Sequence, residues 1–156
     1  MDDGNLYRRG VGVMLLNGER KVWVGARADN PEHSWQMPQG GIDADEDSWT
    51  TALRELEEET GIAPHLVERI AECPERLRYD LPDDWRLHLW GGKYVGQEQD
   101  WFLCRFLGRD SDVNIDTAEP EFRAWKWVEP ATIPDLIVPF KRDLYRRLLR
   151  EFADYL

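Results

Sequence analysis

Apolar positions fall in short runs separated by polar and glycine-rich stretches, and the runs follow two periods. Residues 10–16, GVGVMLL, are continuously apolar and predict a buried strand. Asn17-Gly18 follows as a two-residue hairpin signal, with 21–27, KVWVGAR, as the partner strand. Residues 28–41 are rich in Pro, Gly and polar groups and predict a loop. From about Glu46 to Thr60 the period becomes helical: Trp49, Leu53 and Leu56 recur at i, i+4 and i+7. Gly61 is placed to end that helix as a left-handed cap. Further strands are expected at 86–90, 100–107 and 122–128, the last with strict alternation. Pro130, Pro134 and Pro139 precede a final helix over about 140–155, striped by Phe140, Leu144, Leu148 and Phe152. Residues 63–85 and 108–121 carry weaker signals and are expected to be loops. Strands, helix, strands, helix predict an α/β sandwich with a mixed sheet between helices. Trp23, Trp90 and Trp101 are expected in the core or the sheet.

Length and composition narrow the classes. The 156 residues suit one domain, and 42% hydrophobic residues suffice for a core. A net charge of −11 argues against a protein that holds nucleic acid by bulk positive charge. It leaves room for a nucleic-acid substrate at a local basic patch or beside a bound cation. Lys141, Arg142, Arg146, Arg147 and Arg150 form one candidate patch. Cys73 and Cys104 are read as reduced thiols. The start of the chain, Met1-Asp2-Asp3-Gly4-Asn5, is acidic and has no apolar leader, and no run approaches membrane-spanning length. A cytoplasmic protein without membrane contact is expected.

The chemistry lies in the predicted helix and the loop before it. Residues 43–59 hold eight carboxylates: Asp43, Asp45, Glu46, Asp47, Glu55, Glu57, Glu58 and Glu59. Helical spacing places Glu55, Glu58 and Glu59 on one face, roughly opposite Trp49, Leu53 and Leu56, with Glu57 turned away. Like charges at i, i+4 cost about 0.2–0.5 kcal/mol per pair, and the helix dipole is also negative at this end. A cation would offset both effects. Oxygen donors at this density suit Mg²⁺ or Mn²⁺. An isolated acidic run is ordinarily just a solvated face, so the residues around it decide.

From Gly40 to Ile62 the chain reads G-x5-E-x7-R-E-L-x-E-E-x-G-I, with Gly40, Glu46, Arg54, Glu55, Leu56, Glu58, Glu59, Gly61 and Ile62 at the fixed positions. This resembles the signature box of the Nudix hydrolases throughout. Chance agreement would arise on the order of once in 10⁹ starting points. The resemblance implies a single Nudix domain over 1–156, an α/β/α sandwich in which the box forms loop–helix–loop. It also implies divalent-cation-dependent hydrolysis of a nucleoside diphosphate linked to another group. It implies Glu55, Glu58 and Glu59 as cation ligands, the Gly40 carbonyl as a further one, and Arg54 as the partner of a carboxylate such as Glu46. It leaves the general base open among Glu55, Glu58 and a carboxylate from a later loop.

The flanks resemble one group within that family. His33-Ser34-Trp35-Gln36-Met37-Pro38-Gln39, Leu77-Arg78-Tyr79-Asp80-Leu81-Pro82, Gly96-Gln97-Glu98-Gln99-Asp100-Trp101-Phe102, Pro120-Glu121-Phe122 and Phe140-Lys141-Arg142-Asp143 carry the likeness. It is similar to the bacterial RNA pyrophosphohydrolases and shares much with the asymmetrical diadenosine tetraphosphate hydrolases. By this resemblance Glu121 is a fourth metal-binding carboxylate or the base, and Arg8, Tyr79 and Lys141 contact the 5′ phosphates. Val138 and Phe140 sandwich the first base, and Arg27 stacks on the next. The expected substrates are 5′-triphosphorylated or diphosphorylated RNA, with dinucleoside polyphosphates the alternative. A non-catalytic sensor would be signalled by loss of a box glutamate, and none is lost. The loop 28–32 is longer and more acidic than expected of an enterobacterial-type relative, which bears on the placement of Arg27.

Overall fold

A computed structural model describes residues 6–28, 34–43, 45–86 and 89–156. Its centre is a mixed eight-stranded sheet. The strands are β1 (Tyr7–Leu16), β2 (Val22–Arg27), β3 (Trp35–Gln36), β4 (Gln39–Gly41), β5 (Val67–Glu72), β6 (Leu77–Asp80), β7 (Gly96–Phe106) and β8 (Phe122–Val128). The main path runs β3-β2-β1-β7-β5, with β4 on β1, β6 on β7 and β8 on β2. β1 and β7 are parallel through ten registered pairs, from Tyr7↔Gly96 to Leu16↔Arg105, and the other pairings are antiparallel.

The helices are α1 (Ser48–Thr60), α2 (Asp83–Arg86), α3 (Ile133–Leu136) and α4 (Arg142–Glu151). Alternate residues of the central strands enter opposite cores. Val11, Val13 and Leu15 of β1 and Phe102, Cys104 and Phe106 of β7 join Ala52 and Leu56 of α1. Met14 and Leu16 of β1 and Trp101 and Leu103 of β7 join Tyr145 and Leu148 of α4 and Ile133 of α3. Helices therefore cover both faces, which is why β1 reads as unbroken apolar sequence. This is the expected α/β/α sandwich. Both cysteines are free and buried. Among the described residues no helix is long and apolar enough to cross a membrane.

Several local expectations change. The β1–β2 connection spans residues 17–21 instead of two residues. Asn17 Oδ1 accepts from the Glu19 and Lys21 amides, and Arg20 takes a left-handed φ of 60°. The 28–41 stretch is more than loop, since β3 and β4 pair with β2 and β1. Residues 63–85 hold β5 and β6, which their charges disguise.

Around the strand expected at 86–90 the described residues are not extended: α2 ends at Arg86 and a 3-10 turn occupies Trp90–Gly92, while 87–88 lie outside the described residues. The place beside β7 is already taken, because at Gly96–Gln99 it is flanked by β1 and β6. Trp90 is half-buried, packed against the edge of the core and lining the cleft described below, whereas Trp23 and Trp101 are fully buried. The last helix is α-helical over 142–151, so Phe140 sits on the 3-10 turn before it. The basic patch on α4 is partly neutralised, at two of its cations. Arg146 pairs with Asp143 at 3.2 Å, and Arg147 with Glu151 at 2.8 Å and Glu75 at 3.2 Å.

Candidate active site

α1 begins where Asp47 accepts the Thr50 amide at 3.2 Å and ends at Gly61, φ 74°. Its buried residues are Thr51, Ala52, Leu56, Glu59 and Thr60, while Leu53 is only half-buried. The three site glutamates therefore do not share one solvated face. Glu59 is 5% exposed, the Glu55 side chain 18% and that of Glu58 57%, so they step from the interior to the surface. Glu57 is exposed.

Arg54 holds the preceding loop. It donates to Glu46 at 2.9 and 2.7 Å, and also to Glu55 at 3.2 Å and Glu58 at 3.1 Å. The bond from Arg54 holds the Glu46 carboxyl down to about 2.

Burial raises the pKa of Glu55 and pushes that of Glu59 well above the usual carboxylate range, with the charges of Glu55 and Glu121 adding to the effect at Glu59. Glu59 Oε2 is buried without a hydrogen-bond partner. A partnerless buried carboxylate oxygen beside two further carboxylates is unfavourable for the bare chain and fits a hard divalent cation. Among the described residues no three acidic, His or Cys side chains yet converge as a ready ligand set. Arg54 engages Glu58 instead. β4 crosses this cluster closely: a Cβ on Gly40 would overlap the Glu55 carboxyl group.

A cleft of about 550 Å³ opens from the carboxylates. Of the residues singled out from sequence, Arg8, Arg27, Gly40, Glu55, Glu59, Tyr79, Glu121, Val138, Phe140 and Lys141 all line it. Glu58 does not. It lines an adjoining hollow that shares the Glu55, Glu59 and Glu121 wall. Arg54 lines neither and acts from behind.

Glu121 precedes β8, and its carbonyl accepts the Ala28 amide at 2.8 Å. A register shift between Ala26 and Arg27 turns the end of β2, leaving Arg27 3.9 Å from the Glu121 carboxylate. The 29–33 stretch lies outside the described residues, including most of the 28–32 loop and His33. Lys141 is 6% exposed, with its ammonium 5.0 Å from the Tyr79 ring centre. Burial first, then Arg27, lowers its pKa to about 7 against the pull of Glu59. Phe140 stands between Tyr79 at 5.9 Å and Trp85 at 5.2 Å.

Sequence reasoning missed the polar floor. Tyr79 donates to Gln97 Oε1 at 2.7 Å, Gln99 donates to Gln39 at 3.1 Å, and Trp101 donates to Gln99 at 2.9 Å. Burial pushes the Tyr79 phenol up to about 12. Gln97, Gln99 and Trp101 alternate along β7, and that period-two continuation into polar residues was the available signal. Trp85, Leu89 and Trp90 also line the cleft, brought there by tertiary folding alone.

The sheet, the carboxylate helix and the glycine strand together define a class. The NUDIX domain model matches residues 6–148, and the chain belongs to the Nudix family, whose members typically depend on divalent cations. Similar curated proteins include the RNA pyrophosphohydrolase of Zymomonas mobilis, 55% identical over 94% of this chain and 95% of its own length. Another is the RNA pyrophosphohydrolase of Sphingopyxis alaskensis, 56% identical over 94% and 93%. Among solved structures, a C. elegans Ap4A hydrolase complex superposes with a TM-score of 0.68 at 22% identity, covering 95% of this chain and 99% of that one. The E. coli dihydroneopterin triphosphate pyrophosphohydrolase gives 0.72 at 19% identity, covering 93% and 98%. These two likenesses concern the fold.

Proposed function

We propose that the chain is an RNA pyrophosphohydrolase that removes pyrophosphate or phosphate from the 5′ end of triphosphorylated or diphosphorylated RNA. Near-full-length identity to enzymes of that name supports the reading. The structural observation that carries it is the continuity of the cleft, from Glu55, Glu59 and Glu121 through Lys141 and Tyr79 to Phe140.

Gly40, Glu55, Glu58, Glu59 and Glu121 would hold Mg²⁺ or Mn²⁺. When bound, such a cation neutralises charge developing on the phosphate oxygens and acidifies the attacking water. The chain's own groups do the rest. Arg8 and Lys141 bind the phosphates, with the Tyr79 ring beneath the Lys141 ammonium. Val138 and Phe140 hold the first base and Arg27 stacks on the second. Arg54 locks the 40–47 loop through Glu46, so that Gly40 stays against Glu55. The proton of the attacking water passes to a carboxylate, with Glu55, Glu58 and Glu121 the candidates. A cytoplasmic location follows from this substrate.

The alternative is a dinucleoside polyphosphate hydrolase, because an aromatic platform such as Phe140 stacks any base. The deciding experiment compares products from triphosphorylated RNA and diadenosine tetraphosphate at equal enzyme. Faster pyrophosphate release from RNA is expected. Turnover of the dinucleotide alone would overturn the assignment.

A further inference from the structure

One side of the cleft is built from strained backbone. Trp90, Gly91 and Gly92 have φ of 50°, 68° and 74°. Two glycines adopt the left-handed region freely, but a bulky residue there is an outlier and marks a position held by its surroundings. What the strain achieves is visible in the side chain. The half-buried Trp90 indole lines the cleft, and the Arg8 guanidinium lies over its face, 4.8 Å from the ring centre.

On the other side Arg8 is pressed against β4, where a Cβ on Gly41 would overlap the guanidinium. The neighbouring Arg9 is paired with Asp100 at 3.4 Å, whereas among the described residues Arg8 has no carboxylate partner. An aromatic face and a bare strand thus hold this cation without neutralising it. Gly40 and Gly41 point in opposite directions along β4, so the strand separates Glu55 on one face from Arg8 on the other.

We infer that Trp90 is a positioning residue that fixes Arg8, across β4 from the carboxylates, to receive the anionic phosphate chain of the substrate. The inference rests on the proposed function for the identity of that substrate, but the clamp itself acts on any polyphosphate.

The test uses the full chain with Trp90→Ala, Trp90→Phe, Trp90→Leu, Arg8→Ala and the Arg8→Ala/Trp90→Ala double variant. Two quantities are read: kcat and KM on a short triphosphorylated RNA, and affinity for inorganic tripolyphosphate by calorimetry with Mg²⁺. Trp90→Ala should raise KM and weaken tripolyphosphate about five- to tenfold, the range a cation–π contact can supply, with kcat within about twofold. Trp90→Phe retains a ring and should stay within about twofold of wild type, while Trp90→Leu should behave as Trp90→Ala. In the Arg8→Ala background, Trp90→Ala should cost nothing more, because its effect runs through Arg8.

Losses that multiply in the double variant, or a Trp90→Leu as good as Trp90→Phe, would overturn the inference. Should Trp90→Ala not fold, the comparison of Phe with Leu decides alone. A wild type inactive on RNA whose tripolyphosphate affinity still shows the coupling would sink the functional assignment and leave the clamp standing. Activity on RNA without the coupling would do the reverse.

Discussion

Lys141 is a cation placed almost out of reach of water. Its pKa falls from 10.5 to about 7 because burial disfavours the ammonium. In the unfolded chain the amine keeps its ordinary pKa, so between about pH 10.5 and 7 the unfolded state binds a proton that the folded state does not. The penalty therefore grows as pH falls through this window and is complete below it. Lys141→Met has no charge to bury. Its thermal midpoint should exceed wild type at pH 6 by ~2–4 °C or more, the shift that about 1 kcal/mol gives in a domain of this size, and the gap should close toward pH 10. The same variant should bind triphosphorylated RNA more weakly. A midpoint difference independent of pH would show that the ammonium is solvated. Glu58 has the opposite setting, at the surface and held by Arg54. Loss of a partner that merely orients a metal ligand costs about 10–100-fold, so losing a ligand should cost about 100-fold or more. Glu58→Gln should lower kcat by that much. Its midpoint in chelator should change little, since an exposed ion pair contributes about 0.2–1 kcal/mol and Arg54 keeps Glu46. Near wild-type turnover with Mg²⁺ would remove Glu58 from the metal site.

At the scale of the element, α1 is a helix whose C-terminal half gathers carboxylates against a glycine strand, one of them with a buried oxygen lacking a partner. A cation that binds only this folded arrangement stabilises it by RT ln(1 + [L]/Kd), about 2.7 kcal/mol at 100 Kd. Mg²⁺ or Mn²⁺ should therefore raise the thermal midpoint, and chelator should abolish hydrolysis. Full activity in chelator would exclude the metal chemistry proposed. The legible elements share a cause with this one. α1 announces itself because the Trp49, Leu53 and Leu56 stripe, the Gly61 stop and the box spacing are all local. Most of β1, β2 and all of β8 are legible because their apolar positions follow strand patterns. β5, VERIAE, has no fully buried residue and carries charge on its open side, so composition conceals it. The first half of β7 is hidden because its inward positions are polar: Gln97 lines the cleft, and the buried Gln99 donates to Gln39 of the lining from beneath. The alternation at 86–90 suggests a strand, but Arg86 closes α2 and Trp90 opens a 3-10 turn. Trp90 could not be connected to Arg8 from sequence, because 82 positions of chain separate them and only the fold brings them together.

Across the whole molecule the cleft joins parts that are remote in sequence: β1 supplies Arg8, β2 Arg27, α1 the glutamates, and the turn before α4 Phe140 and Lys141. This layout separates groups near the carboxylates from groups proposed to meet only the bases, and the two sets should respond differently to substrate length. Arg27 is the informative residue because it stands on the boundary, 3.9 Å from Glu121 yet proposed to stack on the second base. Diadenosine tetraphosphate has no second 3′-linked nucleotide for Arg27 to cover, whereas a triphosphorylated RNA does. Arg27→Ala should therefore reduce kcat/KM on RNA several-fold, a loss of about 1 kcal/mol or more, and change the dinucleotide much less. Phe140→Ala should weaken both substrates, since each presents a first base to the Tyr79–Phe140–Trp85 row. Equal losses on both substrates for Arg27→Ala would make Arg27 a phosphate contact, or a partner that orients Glu121. A pH–rate profile then separates those two roles, because only an effect through Glu121 displaces the limb belonging to a catalytic carboxylate. No loss on either substrate would place Arg27 outside the working site and leave recognition of the RNA end to Phe140 and its aromatic neighbours.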